Sequence, residues 1–315
     1  MTIRNIAVIG SGYWGKNLIR NFNELGSLKY VYDEFQESSA QQQKLYKLND
    51  ASFEDILRDS EIEGIVISTP AETHYKIAKR CIKNGKHVFI EKPICLNLED
   101  ALKLKEASKK YNRVLMVGHL LNYNDHFNKL LELAKNTALG RLVKVKSIRK
   151  SFGKLRTNEN VIWSFAPHDI SMVNRILSGK VSELKVLKKN YFNENCDSAT
   201  LTFKKSDTHV EIDVDWTSID KLHKIELFFE NSILVFEDSE QDSNKKLYKI
   251  DINFDMASLM NKADLKKEFY SIESKQPLLN ECSHFLDCIK NNINPITDAD
   301  ESISVLKTLI ESDEF

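Results

Sequence analysis

The chain has 315 residues, 42% of them hydrophobic and 29% charged, which suits two ordinary domains that each bury a core without disulfide or metal staples. A formal net charge of -1 gives no global pull toward nucleic acid or an anionic membrane. No apolar run approaches the roughly eighteen residues of a membrane span. The five cysteines, Cys81, Cys95, Cys196, Cys282 and Cys288, are odd in number and form no C-x-x-C pair, so reduced thiols and a cytoplasmic setting are expected. Cys282, His284 and Cys288 are spaced so that they should not share one helix face, and no metal is expected. The first ten residues read as a buried strand entering a glycine turn and not as a signal peptide.

From Ile3 to about His119 short apolar runs alternate with amphipathic stretches. The runs Ile6–Ile9, Leu28–Tyr32, Gly64–Ile67, His87–Ile90 and Val114–Val117 suit parallel strands covered on both faces. Trp14, Leu18, Ile19, Phe22 and Leu25 recur at helical spacing. Leu96–Tyr111 is also periodic, with Asn97 placed as an N-cap before Leu98, Glu99 and Asp100. The alternation predicts an α/β fold that begins with a doubly wound, parallel-sheet Rossmann domain over residues 1–120.

Beyond residue 120 the rhythm changes. Val210, Ile212, Val214 and Trp216 alternate with Glu211, Asp213 and Asp215, and Ile225, Leu227 and Phe229 alternate with Glu226 and Phe228. Period-two patterning marks antiparallel strands with one buried face. Residues 121–315 are therefore expected to form an α+β domain with a largely antiparallel, open-faced sheet. A turn-rich piece at Glu237–Lys246 separates two of its strands, and helices are expected at Pro167–Leu177, Leu278–Lys290 and Ala299–Ser312.

The first strand runs into Gly10-Ser11-Gly12-Tyr13-Trp14-Gly15, a G-x-G-x-x-G turn between a strand and a helix. Gly10 permits the tight turn, Gly12 lets a pyrophosphate approach the backbone, and Gly15 lets helix and sheet pack closely. Asp33 ends the next strand, where a carboxylate accepts from ribose hydroxyls and repels a 2′-phosphate, so NAD is the expected cofactor. Ser68-Thr69-Pro70, with His74 a turn later, and Glu91-Lys92-Pro93 end two further strands and point at the same crevice. In the second half, Pro167 suits a helix's first turn, which would put His168 where the macrodipole disfavours imidazolium and leaves a neutral base.

The ordered set GSGYWG, Asp33, STPAETH, GKHVFIEKP and VGH, followed by WSFAPHDISMVNRIL and ECSHFLDCIKNNINPITDA, resembles the Gfo/Idh/MocA (glucose–fructose oxidoreductase / inositol dehydrogenase) family over essentially the whole chain. The resemblance implies an NAD(P)-dependent dehydrogenase acting on CH–OH groups of a sugar, cyclitol or sugar nucleotide. It implies catalytic groups at Lys92 and His168 and a cofactor held by Gly10, Gly12, Tyr13, Trp14, Gly15, Asp33, Thr69, Pro70, His74, Glu91 and Lys92. Substrate contacts are expected from Lys92, Asn122, Tyr123, Lys154, Arg156 and His168, and a homodimer or homotetramer is expected through the open sheet face. Several relatives carry an aspartate four residues before the histidine, where this chain has Ser164. The adjacent Asp169 points elsewhere on a helix and does not replace it.

The stretch Arg141–Arg156 holds seven basic residues (Arg141, Lys144, Lys146, Arg149, Lys150, Lys154 and Arg156) and no acid. It reads either as a diphosphate- or carboxylate-binding loop or as a solvated strand face or subunit contact. The wording of GYWGKNLIRNF and WSFAPHDIS is most similar to the sugar-nucleotide branch of the family, whose members oxidise UDP-N-acetylglucosaminuronate at C3 on the way to surface polysaccharides. A cyclitol or monosaccharide dehydrogenase, a ketoreductase, and a non-catalytic NAD- or sugar-binding regulator are the competing expectations.

Overall fold

The computed structural model describes residues 5–152, 159–192, 194, 196–252 and 266–314. Lys154 and Arg156 lie outside the described residues. Two compact units result, Met1–Tyr123 with Lys275–Lys307, and Asn124–Ser274 with Thr308–Phe315.

In the first unit β1 (Ile6–Ile9), β2 (Leu28–Tyr32), β3 (Gly64–Ile67), β4 (His87–Glu91) and β5 (Leu115–Gly118) form a parallel sheet in the order β2-β1-β3-β4-β5. All four residues of β1, β3 and β5 are buried, as expected for strands covered on both faces. The covering helices are α1 (Gly15–Glu24), α2 (Gln36–Tyr46), α3 (Phe53–Arg58), α4 (Ala71–Lys83) and α5 (Leu98–Lys110). Asn97 caps α5 by accepting from the Asp100 amide at 2.8 Å. Ser52 and Asp55 form a reciprocal capping box at α3.

The second unit holds α6 (Asp125–Leu133), β6 (Leu142–Lys150), α7 (Val161–Ile176), β7 (Val181–Lys189), β8 (Ser198–Lys205), β9 (Thr208–Asp215), β10 (Leu222–Phe229), β11 (Ser232–Glu237), β12 (Leu247–Asp251) and β13 (Lys267–Phe269). Its eight strands run in the order β13-β12-β11-β10-β6-β9-β8-β7, and every neighbouring pair is antiparallel except β6 and β9, which are parallel. Val210, Ile212 and Val214 are buried on the face of β9 over which α7 packs. The other face is charged, and Lys144 and Lys146 of the basic stretch are ion-paired there. Lys144 lies 2.7 Å and Lys146 2.6 Å from Glu211, and Lys146 also reaches Asp213 at 3.6 Å. Arg141 pairs with Glu230 at 3.3 Å. Of the two readings of this stretch, its strand portion is a face of cross-strand ion pairs.

Helix α7 corrects one expectation. It starts at Val161, where Asn160 accepts from the Trp163 amide at 3.1 Å, and not at Pro167. Pro167 sits inside the helix, and His168 lies about two turns in, beyond the reach of the N-terminal dipole. The helix dipole therefore does not hold His168 neutral.

A continuous second domain over 121–315 is also corrected, because Lys275–Lys307 folds with the first unit. The segment carries α8 (Pro277–Asn291) and the start of α9 (Ala299–Asp313). Leu278, Cys282 and Phe285 of α8 join the core formed by Phe22 and Phe89. Phe89 and Phe285 lie 5.7 Å apart edge to face, and Phe22 stands 6.5 Å and 6.4 Å from them. Such pairs contribute about 0.5–1.5 kcal/mol each beyond area burial. Thr297 accepts from the Val117 amide at 2.9 Å and Asp298 bridges Met116, so the same segment covers the free edge of β5. Of Cys282, His284 and Cys288, the last two meet at 3.4 Å because an i, i+4 spacing shares a face. His284 also accepts from the Ile296 amide, and among the described residues no metal-ligating cluster forms.

Candidate cofactor crevice and catalytic residues

The glycine turn joins β1 to α1, and its three glycines differ physically. Gly10 has φ +95, and a Cβ there would lie 2.8 Å from the Ser68 main chain. A Cβ on Gly15 would run into the Gly10 carbonyl, which also accepts from Ser68 Oγ at 2.8 Å. These two let the turn and α1 pack onto the end of β3. A Cβ on Gly12 would meet nothing within 4 Å, so its backbone is open to a ligand. Helix α1 has no acidic residue in its first turn and no side-chain cap, which leaves its amides and dipole for an anion.

Asp33, just past β2, closes this turn. Its Oδ2 accepts from the Ser11 amide at 2.6 Å and the Ser11 hydroxyl at 2.8 Å, and its Oδ1 accepts from the Phe35 amide at 3.0 Å. Tyr13 is 91% exposed at the tip of the turn. Trp14 donates its indole N–H to Glu91 Oε1 at 2.5 Å, tying the turn to the end of β4. Burial pushes Glu91 up to about 7, against the indole hydrogen bond and the Lys92 charge, which favour its ionised form. Lys92 follows directly, and its peptide bond to Pro93 is cis.

Thr69 and Pro70 form the turn between β3 and α4, where the Thr69 and Thr73 hydroxyls lie 2.6 Å apart. His74 is buried, with Nδ1 2.8 Å from the Pro93 carbonyl and Nε2 2.8 Å from the Thr69 carbonyl. Desolvation lowers its pKa while the two carbonyls oppose the shift. With both ring nitrogens taken by main chain, His74 braces the two strand-end turns and offers the cofactor no free nitrogen, which corrects its expected direct role.

Asn122 and Tyr123 lie in a short 3-10 turn, Leu120–Tyr123. Both are buried. Tyr123 is a core residue whose hydroxyl lies 2.8 Å from Thr297 Oγ1 and whose carbonyl accepts from Asn280 at 3.1 Å, so its expected substrate contact is corrected to a packing role. His119, beyond β5, is buried with Nε2 3.6 Å from Glu301. Burial lowers its pKa; Glu301 opposes this and the charge of Lys92 adds to it.

In the second unit His168 is partly buried on α7, and Ser164, one turn earlier, is buried. Asp169 is fully buried and held by Arg149 Nε at 2.6 Å and Ser147 Oγ at 2.5 Å. That carboxylate is committed to fastening α7 onto β6, as its position beside His168 on the helix suggests. Sequence reasoning missed the Trp14–Glu91 tie, the His119–Glu301 pair and the buried Glu281 of α8. Only Glu281 left a signal, because it falls among Leu278, Cys282 and Phe285 on the core face at helical spacing.

The order β2-β1-β3 places a switch of winding direction at β1, with the glycine turn, Asp33, Thr69 and Lys92 all at carboxyl ends of strands. An approachable Gly12, an uncapped α1 and a carboxylate ending β2 fit a dinucleotide, and they define an NAD-binding Rossmann unit. Residues 4–119 match the Gfo/Idh/MocA family model, described as an oxidoreductase family with NAD-binding Rossmann fold.

A 2,7-anhydro-N-acetylneuraminate hydratase of Escherichia coli (strain K12) is 29% identical over 151 residues, 47% of this chain and 40% of that protein. The matched stretches span 40–56% of the first four curated relatives. Among solved structures, UDP-N-acetylglucosamine 3-dehydrogenase from Acidithiobacillus ferrooxidans superposes with a TM-score of 0.85 at 19% identity, covering 99% of this chain and 97% of that one. A protein of gentamicin A biosynthesis, solved in complex with NAD, superposes with a TM-score of 0.83 at 17% identity over 100% of this chain and 95% of that one. At these identities the likeness shows the fold.

Proposed function

We propose that the chain is an NAD-dependent dehydrogenase that oxidises a secondary alcohol of a sugar, specifically C3 of a nucleotide sugar resembling UDP-N-acetylglucosaminuronate, in surface polysaccharide synthesis. The observation that carries this reading is the presentation of Lys92 at the carboxyl end of β4, next to a Glu91 tied by Trp14 to the glycine turn. NAD, when bound, supplies the hydride acceptor. The chain's own residues do the rest. Gly10, Gly12, Gly15 and the amides at the start of α1 hold the pyrophosphate, and Asp33 accepts from the ribose hydroxyls. His168 takes the hydroxyl proton, and the Lys92 ammonium donates a hydrogen bond to the developing alkoxide.

The nucleotide part of the substrate is supported by the activity of the Acidithiobacillus structural neighbour and by the basic residues Lys154 and Arg156, whose charge suits a diphosphate. Cytoplasmic action and a homo-oligomer through the open sheet face complete the reading. No described helix is long and apolar enough to cross a membrane.

A thermal-shift panel of nucleotide sugars and free sugars, each with NAD, tests the substrate class, and NADH formation tests the chemistry. A ligand at a hundredfold excess over its dissociation constant stabilises by about 2.7 kcal/mol. Stabilisation by free cyclitols alone, or binding with no NADH formed, overturns the proposal. The named activity of the Escherichia coli relative favours a second reading, hydration of an anhydro sugar, in which substrate is consumed without accumulation of NADH.

A further inference from the structure

Helix α5 carries basic residues to the amino edge of the NAD-binding sheet. Lys105 and Lys109 lie one turn apart on α5, and Arg113 follows just past its end. With Asn294, Asp298 and Asp300 they line a cleft of about 370 Å³, all of it within the first unit. The cleft adjoins Val114, which leads into β5, and Arg113 touches His87, the first residue of β4. It therefore lies about 13 Å along β4 from the Glu91–Lys92 turn, on the sheet edge away from the cofactor crevice. The two acids are already engaged. Asp300 pairs with Lys105, and Asp298 Oδ1 accepts from the Glu301 amide at 3.0 Å. Lys109 is exposed and has no ion pair among the described residues.

Arg113 is half-buried, and no acceptor among the described residues meets it. Its Nε has no hydrogen-bond partner, and its Nη1 lies 3.2 Å from His87 Nε2. In the neutral ring that contact sets two donors against each other. The Val114 amide donates to His87 Nδ1 at 2.9 Å, which makes Nδ1 the acceptor and puts the ring's one N–H on Nε2. Burial first, and the Arg113 charge second, lower His87 to about 4, so the ring is neutral near pH 7. A guanidinium fork is matched by a carboxylate or phosphate, and no acid among the described residues pairs with this one. We propose that the cleft binds a small oxyanion, a phosphate or carboxylate group held between the Arg113 guanidinium and the Lys109 ammonium. The site is separate from the cofactor crevice and does not depend on the dehydrogenase reading.

The test uses the full chain without cofactor, near neutral pH and at constant ionic strength. Sodium phosphate and sodium malonate are titrated separately. The ring nitrogen NMR signals of His87, assigned by their loss in His87→Gln, report binding beside Arg113. Both probes should move these signals along a saturating curve, and the tighter of the two identifies the group that the cleft prefers. Arg113→Met and Lys109→Met should each weaken binding by about ten- to a hundredfold, the range for one charge-assisted hydrogen bond. An equal shift with sodium chloride overturns the proposal, because the effect is then screening alone. Unmoved His87 signals also overturn it, including the case where phosphate is captured only at the glycine turn. A Lys109→Met chain that melts lower but binds phosphate as before sinks it too, because Lys109 would then serve only the carbonyls that end α5. Where Arg113→Met fails to fold, Lys109→Met still decides, since its side chain is exposed.

Discussion

The Trp14 indole N–H donates to Glu91 Oε1 at 2.5 Å, which joins the turn between β1 and α1 to the carboxyl end of β4. The two residues are far apart in sequence and adjacent in the crevice, one inside the glycine motif and one immediately before Lys92. The glycine turn and the lysine are therefore positioned together.

Cofactor choice should follow Asp33. NAD is expected to bind about ten- to a hundredfold more tightly than NADP, the range that one or two charge-assisted hydrogen bonds provide. Asp33→Ala should narrow that gap and also loosen the Ser11 contacts that close the turn. Titrating both cofactors into wild type and variant by calorimetry checks this, and equal affinities in wild type would refute it.

The glycines should separate stability from binding. Gly12→Val is expected to fold with a near-normal melting temperature, since a Cβ there meets nothing within 4 Å, and to lose at least about tenfold in NAD affinity. Gly15→Val should instead destabilise by about 1–3 kcal/mol or more, because its side chain is driven into the Gly10 carbonyl. Melting and binding measured on the same preparations distinguish the two.

How much of this was legible in the sequence differs by element. Continuous apolar runs gave β1, β2 and β3 to the residue, and Asn97 marked the start of α5 because a cap is a local interaction. The start of helix α7 is not legible in the sequence because Pro167 looks like a first-turn proline, while the actual cap, Asn160, lies well upstream. The basic stretch from Arg141 looked positive because Glu211 and Asp213 reach it only across the β6–β9 pairing, which a linear reading cannot see. The return of Lys275–Lys307 to the first unit was hidden for the same reason, since its apolar face does not announce its partner.

Lys92 and His168 should behave as a unit. His168→Ala is expected to lower turnover by about 10²–10⁴, as for a positioned acid–base group, with NAD affinity unchanged within a fewfold. Lys92→Ala should do similar damage, and the double variant should be far less than multiplicatively worse. Lys92→Arg should not restore the rate, since the guanidinium places its charge differently. Steady-state rates across this set are the check, and near-normal turnover in Lys92→Ala would end the assignment.

Acid should weaken the fold through two desolvated imidazoles. His87 is lowered to about 4 by burial and then by Arg113, whose Nη1 lies 3.2 Å away. His223 is lowered to about 3 by burial and then by Arg149. Both stay neutral in the folded chain while the unfolded chain takes up protons below about 6.5. The stability they contribute is thus complete above about pH 6.5 and is lost as pH falls toward their folded values of about 4 and 3. Glu91, raised to about 7, works in the opposite sense as pH falls from about 7 to its ordinary value of 4.5. Melting curves over that range should show His223→Gln losing less stability on acidification than wild type does. A parallel loss in both would assign the acid sensitivity elsewhere.

The strand edge covered by Thr297 and Asp298, and the core position filled by Phe285, also bear on how the molecule is made. A ribosome delivers the five strands of the NAD-binding sheet first, and the residues that seal that sheet emerge only after residues 124–274 have been made. Until then the nascent β5 edge and the apolar surface of Phe22 and Phe89 stay open to chaperones, or to wrong partners. A message truncated after the cofactor motif would leave a sticky fragment in place of a small NAD-binding protein. Any division of the gene that separates residues 1–123 from 275–307 would carry the same cost.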